Sequence, residues 1–455
     1  MTQLLPDKTS HLANFSLFAR NAPSPLPWLD NLRRAAIARF DLVGFPSSKD
    51  EEWRFTNTTP IARIPFALAR HDAPATPADL ADYSFAAAAA CEIVFVNGRF
   101  APHLSHLNHL PDSVTVTSLA AALQNTPSLV EEHLARLATI ETDPFVALNT
   151  AFLADGAFVH IKRNAVLSQP IHLLFLALPG PAPAICHPRV LIRADDNSQA
   201  TIVETYSGKK GTAPVFTNAV TEIAAANNAH IDHCKIQQES LDAFHLAHTR
   251  ARLGRDTTFV SHSASIGASL VRNDLTVLLD GQGAAATLNG LVLAAGSQHV
   301  DNHTLIRHEK PRCTSHELYK YVLDGHSTAV FKGKIYVQKN AQKTDSRQTS
   351  KSLLLSDQAT MNSMPALEIY ADDVKCTHGS TTGPVDEDMI FYLRTRGVSR
   401  QAARSLLTYA FAADVTRRIN VQPVRRRIED LLAAQHNLPQ DLRITDLETH
   451  DQAAR

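Results

Sequence analysis

Between Phe158 and Gln338 no stretch carries the 3.6-residue period of an amphipathic helix. The chain reads there as one short strand-like run after another: FVHIKR, IHLLFLAL, RVLIRA, ATIVETY, NAVTEIAA, AHIDHCKIQ, TTFVSHSAS, LTVLL, ATLNGLVLAA, HTLIRH and AVFKGKIYVQ. Val, Ile, Thr and Leu dominate, and branched side chains pack well on a pleated surface. Turn residues fall near Asn227, Asp242, Asp256, Gly267, Gly281, Gly296, Pro311, Gly325 and Asn340. This spacing, about 11 to 16 residues, is the rhythm of an all-β sandwich or a β-solenoid. A sandwich of that length would be unusually large, whereas a solenoid grows by adding rungs, so a solenoid is favoured. The rungs repeat no strict motif, which leaves a double sandwich open.

The flanks have a different texture. Residues 1–150 read as an N-terminal, mostly helical domain, 151–384 as the β core and 385–455 as a C-terminal helical domain. Prolines keep the helices before residue 80 short. Trp28 to Phe40 is one of them, with Leu32, Ala35, Ala36 and Phe40 on one side. GFPSSKDEEWRFTN, from Gly44 to Asn57, reads as a charged turn anchored by Trp53 and Phe55. Cys91 to Phe100 predicts a strand, an Asn-Gly turn and a second strand. Pro127 to Leu148 predicts a helix in two pieces around Pro144. After Asp386 an amphipathic helix buries Met389, Ile390, Tyr392 and Leu393. Ser399 caps a longer one with a stripe of Ala403, Leu406, Leu407, Ala410, Phe411 and Val415, and Pro423 starts a third. The tail after Asn437 is polar and expected to be mobile.

Composition excludes several classes. A formal net charge of −1 offers no basic field for nucleic acid or anionic membrane. The five cysteines, Cys91, Cys186, Cys234, Cys313 and Cys376, form no close pair, which argues for a reducing compartment and against a disulfide framework. No C-x-x-C, H-E-x-x-H, G-x-S-x-G or phosphate-loop pattern occurs; Ser207 to Gly211 reads as a surface turn. No signal peptide or spanning segment is read, so the expected location is cytoplasmic.

One stretch carries chemistry: LEIYADDVKCTHGSTTG, Leu367 to Gly383. Leu367, Ile369 and Ala371 alternate, Asp372-Asp373 interrupts, and Val374, Cys376 and His378 resume the alternation. A continuing strand points those last three side chains the same way, and Gly379 and Gly383 bracket a turn. A thiolate and an imidazole on one face can ligate iron or another soft metal. On spacing alone a core Cys beside a hydrogen-bonded His is the plainer account. Gln342 to Asp345 reads as a turn network, Cys313 as a core thiol, and Arg417, Arg418, Arg425, Arg426 and Arg427 as a solvated basic face or a partner contact.

Five blocks together resemble one family: EEWRFTN (51–57), FVALNTAFLADGAFVHI (145–161), FKGKIYVQKNAQKTDSRQTSKSLLLS (331–356), LEIYADDVKCTHGSTTG (367–383) and FYLRTRGVSRQAARSLL (391–407). They are similar to the SufB/SufD family of the Suf iron–sulfur cluster assembly system, to its SufD branch more than to SufB. The resemblance implies a right-handed parallel β-helix between helical N- and C-terminal domains. It implies a non-catalytic scaffold subunit in a complex with a SufB-like paralogue and a SufC-like ATPase, or a homodimer when isolated. The paired solenoids would meet through their C-terminal strands, with the ATPase docked on the C-terminal helices. It assigns Cys376 and His378 to a transient iron–sulfur cluster or iron at the SufB–SufD interface, with nothing permanently bound. Two rivals stand beside this: a SufB-like main cluster scaffold, and a β-helix carbohydrate-active enzyme.

Overall fold

The computed structural model describes residues 8–22, 24–70, 74–107 and 110–436. The tail expected to be mobile lies outside them. Two facing sheets run the length of the β region. One takes Gly156–Ile161, Arg189–Ala194, Val215–Ala225, Phe244–Leu253, Leu270–Leu279, His299–His308, Thr328–Val337 and Thr360–Ile369 in order. The other takes Ile171–Ala177, Gln199–Gly208, His230–Gln238, Thr258–Ser265, Ala285–Ala294, Thr314–Leu323, Asp345–Leu354 and Lys375–Pro384. Successive strands alternate between the sheets and every neighbour within these two series is parallel, so each pair of strands is one coil of a solenoid. This settles the choice that rhythm left open, against a double sandwich.

Stacking of like positions explains why no strict motif is needed. Inward columns such as Phe259–Ala286–Ser315–Ser346 require only compatible size from coil to coil. The upper coils fill with Val271, Val277, Ile306, Tyr321 and Phe331, each at most 1% exposed. Cys313 is fully buried there, as a core thiol.

The region before residue 150 is more than helical. Cys91–Val96 pairs in parallel with Ile171–Ala177, and Val114–Ser118 pairs antiparallel with Gly156–Ile161, so both sheets begin there. The expected hairpin is present, Cys91–Val96 against Arg99–Phe100. The helix expected at Trp28 to Phe40 runs Pro27–Val43, with Leu29, Arg33, Ala36 and Phe40 buried, and a helix Thr9–Asn21 precedes it. The two pieces around Pro144 are Pro127–His133 and Pro144–Ala151.

The C-terminal helices are Glu387–Thr395, Arg400–Thr416 and Gln422–Gln435. Asp386 and Ser399 cap the first two through their side chains. The second and third cover the outer face of one sheet, over Val203, Ile236, Leu291, Leu293 and Val322. Two sequence readings change here. Met389 (54% exposed) and Tyr392 (56%) are not buried, and Phe391 (67%) joins them; of that helix Ile390 is the buried side chain. The second helix packs through Ala403, Thr408, Tyr409, Ala412, Ala413 and Val415 rather than through Ala410, which is exposed. No helix among the described residues is long and apolar enough to cross a membrane.

Candidate functional site

The solenoid ends on a bare coil. Thr360–Ile369 and Lys375–Pro384 are the terminal strands of their sheets, and among the described residues no strand pairs with their outer sides. Nearly every residue of both is exposed or half-buried. Tyr370 to Val374, with the Asp372-Asp373 pair, is the turn that passes from one sheet to the other. Gly379 and Gly383 form no turn: they lie inside the last strand, opposite Thr349 and Leu353. Pairing with the previous coil overrides the local preference of the small-residue run.

The register places the two candidate ligands. Cys376 lies beside Ser346 and His378 beside Gln348, and those neighbours are buried, inward-facing positions at 1% exposure each. Cys376 and His378 therefore share the inward row of the last coil. Cys376 is half-buried and packs with Leu367 and Val374 against Ile335, Val337, Ala341 and Ala371. Burial, then the nearby Asp345 carboxylate, pushes its thiol above the ordinary value. His378 is exposed at the open end. Neither side chain has a hydrogen-bond partner among the described residues. Nor do those residues contain a group of three or more His, Cys, Asp or Glu able to hold a metal. The end of the solenoid thus presents one sulfur and one nitrogen donor, an incomplete set for a four-coordinate ion.

Polar chains stand behind both donors. Ser346 Oγ lies 2.7 Å from Ser315 Oγ, which lies 2.9 Å from His308 Nε2. Gln348 Nε2 donates to Glu317 Oε2 at 2.7 Å. These inward residues were not singled out from sequence, although SRQTSKS carries a signal: Ser346, Gln348, Ser350 and Ser352 alternate where a strand would bury apolar side chains. Burial pushes Glu317 up to about 7. A carboxyl raised on folding stabilises fully below its unfolded pKa, and that contribution fades as pH rises from about 4.5 through about 7. Glu317→Gln is neutral at every pH. It is expected to gain on the wild type by up to about 3 kcal/mol between about pH 5 and about pH 8. Denaturant unfolding at the two pH values checks this; a pH-independent difference would contradict it.

The other sequence candidates make contacts within the chain. Gln342 Oε1 accepts from the Asp373 amide at 2.9 Å and Thr344 Oγ1 donates to Ala341 O, so NAQKTD is a stacked turn. Arg418 pairs with Asp414, and Arg427 donates to Gln238 while lying over Tyr83. Lys209, in the Ser207–Gly211 segment, pairs with Asp79 on the surface.

Comparison with known proteins gives a consistent picture. Residues 178–411 match the family description "SUF system FeS cluster assembly, SufBD core domain", and residues 20–173 match "SufBD protein N-terminal region". The chain is 34% identical over 415 residues to an iron–sulfur cluster assembly SufBD family protein of Synechocystis sp., covering 89% of this chain and 90% of that one. It is 30% identical over 388 residues to the iron–sulfur cluster assembly protein SufD of Escherichia coli, covering 85% and 88%. The SufD of Bacillus subtilis is 25% identical over 419 residues, covering 89% and 93%.

Proposed function

The chain belongs to the SufBD family of the SUF iron–sulfur cluster assembly system, and we propose that it is a SufD-type scaffold subunit, without turnover of its own, that works in the cytoplasm with a SufB-like paralogue and a SufC-like ATPase. The observation that carries the reading is the pairing of Cys376 and His378 on the inward row of an unpartnered last coil. A cluster or iron ion assembled there is cargo. This chain offers it a thiolate and an imidazole, and the remaining ligands come from the subunit that closes over the end. Two donors hold cargo weakly enough to release it.

The exposed Met389, Phe391 and Tyr392 on Glu387–Thr395 supply an apolar surface for the ATPase on the C-terminal helices. ATP-driven movement of that partner would pull on helices joined directly to the last strand, since Asp386 follows Pro384 by two residues. The five cysteines are all free thiols, in keeping with a reducing compartment.

Co-expression with candidate paralogue and ATPase subunits, followed by mass measurement, tests the assembly. Within that complex His378→Ala is expected to abolish cluster build-up while the assembled mass is unchanged. Normal cluster yield in the variant would overturn the reading. A stable, stoichiometric cluster on the isolated chain would favour the SufB-like role instead.

A further inference from the structure

The inward column that ends in His378 contains Glu317 and Gln348 in the two preceding coils of the same sheet. Gln348 is 1% exposed, and its amide nitrogen is committed to Glu317 Oε2 at 2.7 Å. Its amide oxygen is buried and has no hydrogen-bond partner among the described residues. A buried acceptor left unmatched is costly, so such an atom ordinarily has a donor within reach. Along the column Gln348 has Glu317 on one side and His378 on the other, on strands about 4.8 Å apart. Glu317 takes one N–H; the imidazole of His378, itself without a hydrogen-bond partner among the described residues, is the donor-bearing group next in the column. The amide is also confined from across the solenoid. A Cβ added to Gly333 in the opposite sheet would fall 2.3 Å from Gln348 Nε2, so the glycine leaves the space in which the amide lies.

We propose that Gln348, held by Glu317, is the positioning residue for His378: its amide oxygen accepts one ring N–H and leaves the other ring nitrogen, with its lone pair, facing the open end. This rests on the assignment of His378 as a cargo ligand and deepens it. A neutral imidazole is a ligand through one nitrogen only, and the hydrogen bond made by the other nitrogen selects which. Such supporting contacts are worth about 10- to 100-fold in metal affinity or activity. Gln348 touches the cargo in no way; it acts through the histidine.

The test uses the full chain labelled with ¹⁵N-histidine, with the His378 ring signals assigned by their loss in His378→Ala. The wild type is expected to show one tautomer at this ring, and Gln348→Leu a mixture of both. Gly333→Ala, which crowds the amide without removing it, should also give a mixture. In the reconstituted complex Gln348→Leu should lower cluster yield by about 10-fold. A mixture of tautomers in the wild type overturns the proposal without need of any variant. So does a single tautomer that persists in folded Gln348→Leu. If the ring pattern shifts as expected but His378→Ala still builds clusters, the ligand assignment fails and the positioning contact stands. If His378→Ala abolishes clusters while Gln348→Leu moves neither the ring pattern nor the yield, the positioning fails alone.

Discussion

Asp301→Ala is expected to cost about 3–5 kcal/mol and to detach the 51–57 segment from the solenoid. One buried guanidinium is central to the segment's attachment, beside the Lys332–Glu52 pair and the packing of Trp53 on Phe145. Arg272, 1% exposed, lies with its Cζ 3.9 Å over the Trp53 ring and donates to Glu52 O at 2.8 Å and to Asp301 Oδ2 at 2.6 Å. Thr56 Oγ1 donates to the same carboxylate oxygen, and His303 Nε2 lies 3.0 Å from the other. Burial by itself would raise Asp301, but Arg272 and His303 outweigh it and hold the carboxyl far below its ordinary range. Removing the carboxylate leaves the buried cation with only Asp274, 3.5 Å away and shared with Arg250, to offset it, which is the costly way to break such a pair. By contrast, Glu51, 89% exposed, reaches Lys332 at 3.5 Å, and Glu51→Ala should change stability by less than about 1 kcal/mol. The pH dependence follows from the sign. A depressed carboxyl contributes above its unfolded pKa, about 3.9, and that contribution is lost as pH falls through the folded value. The acid limb of the wild-type stability curve should therefore be flattened in Asp301→Ala. Denaturant unfolding of the two variants, with Trp fluorescence reporting Trp53, checks this; equal losses in both would overturn it.

That cluster also shows what the sequence could and could not carry. Trp53 reads as an anchor from its own neighbourhood, one of two large aromatics within a charged turn, and it is 3% exposed. Its partner Arg272 lies in a strand 219 residues later, where LVRNDLTVLL looks like any other solenoid run. Nothing local marks one arginine as inserted and the next as solvated. The solenoid itself was legible because each coil repeats the same local chemistry, strand then turn. The exposed Met389 and Tyr392 were misread for the opposite reason. Amphipathic periodicity marks an apolar face without saying whether this chain or another covers it. Cys376 and His378 were placed on one face by simple alternation, which needed only that the strand be regular. Gln348 and Glu317 escaped notice because polar residues in strands are ordinarily taken as outward, and only the register with neighbouring coils turns them in.

The second large effect concerns the bare coil. If the proposed pairing with a SufB-like paralogue uses this edge, Ser380→Pro together with Thr382→Pro is expected to weaken it by more than about 100-fold, taking about 1–1.5 kcal/mol for each lost ladder bond plus the steric block of the rings. The positions follow from the ladder. The Lys375 amide donates to Thr344 O on the inner side, so amides 377, 379, 381 and 383 also point inward and those of 376, 378, 380 and 382 point to the open edge. Proline at an outward position removes no backbone hydrogen bond that this chain makes for itself, and at 380 it removes only an exposed hydroxyl contact with Ser363, so the subunit stays folded. The natural sequence uses the same device on the other sheet. The Thr360 amide donates inward to Ser327 O, which puts residue 365 outward, and that residue is Pro365. One edge is therefore blunted against further strands, while the edge bearing Cys376 and His378 keeps its donors. If pairing is read from complex mass, an unchanged mass in the double variant would show that the partner does not use this edge. Loss of the complex with the subunit still folded would tie subunit pairing and the two cargo donors to a single strand. The seam would then be built where the cluster is, so closing the complex and completing the ligand set become one event.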